Sequence, residues 1–154
     1  MKRLFSIFVC LIVILSALSI NTFAAEVKEE SITYFEDGSY CISTITQAPN
    51  PMQPNYLAAS AKTKTGTKTS KYYNSDNVLC FTVKVTGTFT YNGSTAKATA
   101  ASYSYSIGNT AWHFSSGKAT YSGATATATC VFRHTILTRT LTSSLTCSPT
   151  GVLS

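Results

Sequence analysis

Lysine and tyrosine side chains are concentrated in one short segment, and they are the side chains of this sequence best suited to bind a ligand. Residues 62–73 read KTKTGTKTSKYY. Lysine supplies positive charge and tyrosine supplies flat, amphipathic area, so the segment is suited to polyanions such as wall teichoic acids or anionic lipid headgroups. The predicted binding residues are Lys62, Lys64, Lys68, Lys71, Tyr72 and Tyr73.

The same segment also fits an exposed edge strand with no binding role. It alternates lysine and threonine with little apolar content, and lysines on a sheet edge prevent pairing with other chains. The alternation predicts that Lys62 and Lys64 share a face, while Gly66 can reset the phase before Lys68. Nucleic acid would match the charge, but the sequence has no recognition helix or nucleic-acid fingerprint, so we expect no nucleic-acid partner.

Residues capable of acid–base or nucleophilic catalysis are scarce. The chain has the histidines His113 and His134, the aspartates Asp37 and Asp76, and no Gly-x-Ser-x-Gly motif. A serine hydrolase needs serine, histidine and a carboxylate that converge, and a glycosidase needs two carboxylates across a cleft. Neither histidine is at ligand spacing and no two cysteines are close in sequence, so no zinc site is predicted. We expect a non-enzymatic protein without metal or cofactor.

The elements that must position these residues are short strands. Residues 78–91 alternate apolar and polar side chains, which is the strongest strand signal in the chain. Asp37-Gly38 and Asn92-Gly93 lie between β-prone runs and predict tight hairpins. We expect a bulge or bend at Gly87 in the long strand, and a second bulge near Ala100-Ala101 in its partner.

The whole pattern predicts an all-β fold. Seven or eight short, mostly hairpin-linked strands with almost no helix are typical of an antiparallel β-sandwich, with a small β-barrel as the alternative. Threonine and serine make up about a third of residues 25–154 and charged residues are few, which suits strands and argues against a helical bundle or coiled coil. The predicted core residues are large and apolar: Phe81, Val83, Val85, Phe89, Trp112, Phe114, Phe132, Leu141 and Leu145.

The first 24 residues have the pattern of a secretory signal peptide. Lys2 and Arg3 precede an apolar stretch, and Thr22-Phe23-Ala24 offers small residues at the −3 and −1 positions of a cleavage site. A retained membrane anchor is the alternative, since the apolar stretch is close to the shortest span. We expect cleavage, release from the cell and no stable membrane span afterwards. Residues 25–37 then form an acidic N-terminal segment with a possible first strand, and residues 38–154 form a single β domain.

Four cysteines follow the predicted cleavage site, and an exported chain with four cysteines is expected to form two disulfides. Three connectivities are possible. Cys130 and Cys147 each share a face with the apolar residues of their own strand, whereas Cys80 lies opposite the apolar face of its strand. This parity favours the pairs Cys41–Cys80 and Cys130–Cys147, and leaves the other two connectivities open. The sandwich is therefore expected to be disulfide-stapled.

Charge is distributed unevenly along the chain. Residues 25–37 carry five acids and one lysine, whereas residues 38–154 carry nine basic residues and one acid. A basic body is consistent with a solvated surface, and equally with a face that meets an anionic surface. The expected partner is an anionic cell-wall polymer or an extracellular protein. The alternative function is a secreted, bacteriocin-like or effector protein that acts on other cells.

Several segments together carry a resemblance to a protein family. They are Val-Thr-Gly-Thr-Phe-Thr-Tyr-Asn-Gly at residues 85–93, Trp112, Ser122-Gly123 with the alternating alanines and threonines that follow, and the ending from Leu145 to Ser154. Over roughly residues 37–154 the chain resembles a group of functionally uncharacterised, small secreted proteins of clostridial-type Gram-positive bacteria. The resemblance implies secretion and a β-rich domain, and it implies no catalytic residue.

Overall fold

A computed structural model describes residues 26–48, 61–135 and 137–154. The predicted signal peptide, residues 1–24, lies outside the described residues. No helix occurs in the described part of the chain. The strands are β1 (Glu26–Tyr34), β2 (Tyr40–Gln47), β3 (Lys62–Tyr73), β4 (Leu79–Tyr91), β5 (Ala96–Ile107), β6 (His113–Ser122), β7 (Thr125–His134) and β8 (Leu137–Thr146).

The strands form two separate antiparallel sheets rather than one closed barrel. A five-stranded sheet has the order β1-β2-β3-β4-β5, and a three-stranded sheet has the order β6-β7-β8. The prediction of an all-β, sandwich-like fold is confirmed, and the possible first strand of the acidic segment is present as β1. Every neighbour in each sheet is also a neighbour in sequence. The predicted hairpins are present between β1 and β2 and between β4 and β5, with Gly38 and Gly93 at positive φ.

The core lies between β4 of the large sheet and β7 of the small one. Phe81 and Phe132 face each other from the two sheets with ring centroids 3.9 Å apart, and Trp112 packs edge-on against Phe81 at 5.1 Å. Of the nine predicted core residues, eight are buried. The ninth, Phe114, is half-buried and stacks on Tyr105 at the margin of the core.

The structure has no bulge at Gly87, where the sequence predicted a bulge or a bend. The register runs through it without a shift, from Gly66 on one side to Ala101 on the other. A Cβ at this position would lie 2.6 Å from the Phe89 ring and 2.8 Å from the Cβ of Ala126 in the opposite sheet. Glycine is required because the sheets approach closely here. The bulge expected in β5 is present, with Thr99 as its extra residue.

β3 is an interior strand, which corrects the prediction of an exposed edge. It pairs with β2 on one side and β4 on the other. A polar strand is stable there because one face of the large sheet points away from the small sheet. On this outer face, the hydroxyls of Thr65 and Thr88 lie 3.1 Å apart. Cross-strand threonine pairs of this kind stabilise a sheet without burying apolar area.

The two sheets have unequal width, so one side of the sandwich is open. At the other side the sheets come together, where the Ala98 amide donates to the Gly123 carbonyl over 2.8 Å. On the open side, β1 and β2 extend beyond β8, the last strand of the small sheet. An ion pair between Asp37 of the β1–β2 turn and Arg139 of β8 bridges this side at one end.

Candidate ligand-binding face

The structure does not bring the six predicted binding residues together. Side chains of a strand alternate between its faces, and β3 obeys this rule without the phase change expected at Gly66. Lys71 and Tyr73 lie on the outer face of the large sheet. Lys64, Lys68 and Tyr72 point toward the small sheet, and Lys62 is exposed at the start of the strand.

Two of the inward-facing residues have structural roles. The Lys64 ammonium is buried, donates to the Gly151 carbonyl, and lies 5.7 Å from the ring centroid of Tyr91. It thereby holds the C-terminal segment against the sheets. Tyr72 is 2% exposed and stacks on Phe81 with centroids 4.8 Å apart. Neither side chain presents a surface to a ligand.

A row of three tyrosines, one each on β1, β2 and β3, crosses the outer face at one end of the large sheet. Tyr34 is paired with Tyr40, and Tyr40 with Tyr73. The ring centroids of Tyr34 and Tyr40 lie 5.9 Å apart, and those of Tyr40 and Tyr73 lie 5.0 Å apart with nearly parallel planes. Tyr34 is 74% exposed. The row is an aromatic platform open to solvent.

Two lysines lie beside this platform. Lys71 occupies the next row, opposite Ile42 on β2 and Thr82 on β4. Lys84 is two residues beyond Thr82 on the same face, so it is the diagonal neighbour of Lys71 at roughly 7–8 Å between Cα atoms. Both side chains are exposed. Tyr34, Tyr40, Tyr73, Lys71 and Lys84 are called the tyrosine–lysine face below.

A small hollow adjoins Lys84 and supplies hydroxyl groups. It encloses about 90 Å³ and is lined by Lys84 together with Thr82, Ser104, Tyr105 and Ser106. Hydroxyl donors next to an ammonium suit an anion with several acceptor oxygens, such as a phosphate. The arrangement therefore places a charged, hydrogen-bonding site beside a flat aromatic one on the same face of the sheet.

The sequence prediction found Lys71 and Tyr73 and missed the rest of this face. Tyr34 and Tyr40 flank the Asp37-Gly38 turn, and the predicted hairpin already implies that they are opposite each other. The sequence prediction did not include Lys84, because this residue lies in the strand with the strongest apolar alternation, where it is one of the residues that face outward. Strand order, which places β3 between β2 and β4, was needed to join the two sets.

The structure contains neither of the predicted disulfides, and its four cysteines are buried free thiols. Cys41 pairs with Tyr72, and Tyr72 pairs with Phe81, so Cys80 lies two strands away at roughly 10 Å. The Cα atoms of a disulfide lie within about 7 Å. This register rules out the pair Cys41–Cys80 in this fold and corrects the prediction.

The second predicted disulfide fails for a different reason. Cys130 is opposite Leu141, whereas Cys147 is six residues further along the same hairpin, about 20 Å away. The parity argument gave the correct, core-facing side for both residues but no position along the strands. Burial raises the pKa of all four thiols, including Cys41, where the nearby Lys68 charge opposes the effect only in part. The thiols are therefore held in their protonated, unreactive form.

Groups that could do catalysis are not gathered at any point of the described residues. His113 is exposed, and His134 packs against Trp112 with ring centroids 5.3 Å apart. The pKa of Asp37 is lowered, mainly by its hydrogen bonds from Ser39 and further by Arg139, so it is held as a carboxylate. Within residues 26–48, 61–135 and 137–154, no cluster of three or more histidine, cysteine or acidic side chains could hold a metal ion.

Comparison with protein-family models, curated proteins and solved structures finds no match. In the described part of the chain, none of the secondary structure is a helix with the length and apolar character needed to span a membrane. The function of this chain therefore has to be inferred from the chemistry of its own surface. The tyrosine–lysine face is the strongest feature of that surface, because it combines exposed aromatic rings, cations and hydroxyls within a few strands.

Proposed function

We propose that this is a secreted, non-enzymatic protein that binds an anionic polymer of the cell envelope through its tyrosine–lysine face. One observation carries the proposal: a row of Tyr34, Tyr40 and Tyr73, of which the first is exposed and the other two are half-buried, lies directly beside Lys71 on the large sheet. Secretion is supported by the signal-peptide pattern of residues 1–24, and an anionic partner by the basic character of residues 38–154.

A polymer of sugar and phosphate units matches both halves of this face. The ring centroids of the platform lie 5.9 and 5.0 Å apart, close to the spacing of neighbouring strands, and the flat faces of the rings can stack on the apolar faces of sugar rings. The Lys71 and Lys84 ammonium groups, with the hydroxyls of the adjoining hollow, supply charge-assisted hydrogen bonds for phosphate oxygens. A wall teichoic acid offers both kinds of group along one chain.

Rigidity favours binding by this face. Tyr40 and Tyr73 are half-buried and stacked on each other, so little side-chain freedom remains to be lost when a ligand binds. The row next to the tyrosines contains Ile32, Ile42 and Lys71, and further along the same face threonines of β3 and β4 hydrogen-bond across the strands. With two lysines at the centre, we expect modest affinity per site that falls as salt is raised.

The test is co-sedimentation of the purified protein with Gram-positive cell walls, with and without teichoic acid, across a salt series. The variant carries Tyr40→Ala, Lys71→Ser and Lys84→Ser, and the matched control carries Tyr121→Ala, Lys118→Ser and Arg133→Ser. All three control residues are exposed side chains on β6 and β7 of the small sheet. We expect salt-sensitive binding that requires teichoic acid, is retained by the control and falls at least about tenfold in the variant.

Three results would contradict the proposal. Equal loss in the variant and the control would mean that net charge, not the tyrosine–lysine face, is responsible for binding. Binding that persists after teichoic acid is removed would assign the protein to another wall component. No sedimentation at low salt would show that the face is only a solvated surface.

A further inference from the structure

A groove on the open side of the sandwich runs along the free edge of β8. It encloses about 340 Å³ and is lined by the consecutive β8 residues 140–144. Neighbouring side chains of a strand point to opposite faces, so five consecutive residues line one groove only where it follows the main-chain edge. Within the described residues, the small sheet has no fourth strand that covers this edge of β8.

The C-terminal segment shows that this edge accepts an added strand. The Thr146 amide donates to the Ser154 carbonyl over 2.8 Å, and the Ser154 amide donates to the Thr146 carbonyl over 3.0 Å. This is the reciprocal pairing of antiparallel strands. Because such groups alternate along a strand, the N–H and C=O groups of Thr140, Thr142 and Ser144 also point away from β7, into the groove.

The floor of the groove is made of small polar side chains. β1 contributes Ser31 and Thr33, and β2 contributes Cys41 and Ser43. The Ser43 hydroxyl is 3.0 Å from that of Ser70, which in turn is 2.9 Å from that of Ser143 in the other sheet. The floor is therefore fixed to β8 by a chain of hydroxyls, and its short side chains leave room for larger ones from a guest.

One half-buried cation faces this space. Lys68 lines the groove, and among the side chains described in residues 30–48, 61–135 and 137–154 no carboxylate lies within ion-pair distance of it; the nearby ion pair joins Asp37 and Arg139. That pair closes the groove at one end, with Arg139 over the rings of Phe35 and Tyr72, and the C-terminal segment closes it at the other. A partly buried ammonium without a carboxylate partner favours a ligand that brings one.

We propose that this groove binds an extended peptide segment of a partner protein, which adds to β8 as an antiparallel strand and places an acidic side chain on Lys68. Main-chain hydrogen bonds to Thr140, Thr142 and Ser144 supply affinity, and alternate side chains of the guest fill the space above the floor. The groove extends over five residues of β8, about 17 Å, which sets the length of the bound segment. This site is separate from the tyrosine–lysine face, which lies on the opposite side of the large sheet.

The probe is a random library of N-acetylated, C-amidated heptapeptides selected on the purified protein. We expect selected peptides to carry β-branched residues at alternate positions and an aspartate or glutamate at one fixed position. N-methylation of a selected peptide on the residues that face β8 should weaken binding at least about tenfold, because it removes main-chain donors. N-methylation on the other edge should leave the dissociation constant unchanged.

Protein variants locate the site. Lys68→Gln should weaken the acidic peptides about tenfold, whereas Lys84→Gln, with the same change of charge on the outer face, should not. Thr33→Trp fills the groove from an exposed position and should abolish binding, and Thr142→Pro should do so by removing an edge donor. A melting curve for each variant identifies any variant that fails to fold. If Thr142→Pro fails to fold, loss of binding in the Thr33→Trp variant tests whether the groove is the binding site.

The proposal is overturned by any of three results. One is that no peptide is selected above the background seen with the Thr33→Trp variant. Another is binding that is indifferent to which edge of the peptide is N-methylated. The last is equal weakening by Lys68→Gln and Lys84→Gln, which would show that the peptides respond only to overall charge.

Discussion

Replacement of Gly87 by alanine should separate the two sheets and destabilise the protein. The added Cβ would lie 2.6 Å from the Cζ of Phe89 and 2.8 Å from the Cβ of Ala126, both closer than carbon atoms normally approach. Overpacking of this kind costs about 1–3 kcal/mol, and the lower entropy of the unfolded alanine chain returns about 0.4–1 kcal/mol. We expect a net loss of roughly 1–2 kcal/mol in the free energy of unfolding, a fall in Tm of roughly 3–10 °C.

Urea unfolding of Gly87→Ala, Ala126→Gly and the double variant measures the contact directly. In the double variant the Cβ of Ala126 is gone, so the two changes should together cost at least about 0.5 kcal/mol less than their sum. Gly87→Ala combined with Ala100→Gly is the control, because Ala100 is exposed on the opposite face of the sheet and the costs should add. Additive costs with Ala126→Gly would refute the packing of β4 on β7 described above.

Three further predictions concern charge and thiols. Asp37→Asn should lower stability near neutral pH and make no difference in strong acid. The lowered pKa of the Asp37 carboxyl stabilises the fold above its ordinary value of 3.8, and this contribution is lost as pH falls through the lowered value. Urea titrations across pH 2.5–7 measure this dependence, and a constant difference in stability between the variant and the unaltered protein would contradict it. Lys64→Met should cost roughly 1.5–3 kcal/mol in urea unfolding, since it removes a buried, charge-assisted hydrogen bond to Gly151, and an unchanged midpoint would refute that role. The four buried thiols should be unreactive toward a thiol reagent until denaturant is added, and a reducing agent should leave Tm unchanged; a fall in Tm would indicate disulfides.

Local structure followed closely from the sequence. Period-two alternation predicted β4. Asn92-Gly93 predicted the hairpin between β4 and β5, and Asp37-Gly38 predicted the hairpin between β1 and β2. These signals act over a few residues, since they depend on which side chains need burial and which backbone conformations need glycine. The core prediction succeeded for the same reason.

Strand order and register could not be predicted from the sequence. The wrong predictions, namely the edge position of β3 and the two disulfides, depend on them. Lysine and threonine alternation in β3 describes a strand with one solvated face, and that description holds equally for an edge strand and for an interior strand of a one-sided sheet. Cysteine parity gave the facing of Cys130 and Cys147 but no separation along the hairpin. Both questions are decided by long-range pairing, which local patterns do not contain.

The candidate site likewise combines residues that local sequence signals predict with features that depend on long-range strand pairing. Lys71 and Tyr73 were identified from residue type, and Tyr34 and Tyr40 can be recovered from the register of one predicted hairpin. The groove beside β8 has no counterpart in the sequence pattern, because it arises from the unequal number of strands in the two sheets. That Lys68 faces the groove could be predicted only from the strand order, which places β3 between β2 and β4.

Binding of a ligand to the tyrosine–lysine face is best tested by a titration of amide chemical shifts with soluble teichoic acid. We predict that shifts concentrate on outward-facing residues at one end of the large sheet, namely Tyr40, Ile42, Lys71, Tyr73 and Lys84, and that Tyr72 and Phe81 shift far less. Shifts spread evenly over all lysines, or confined to Lys68 and residues 140–144 of the groove, would contradict the account.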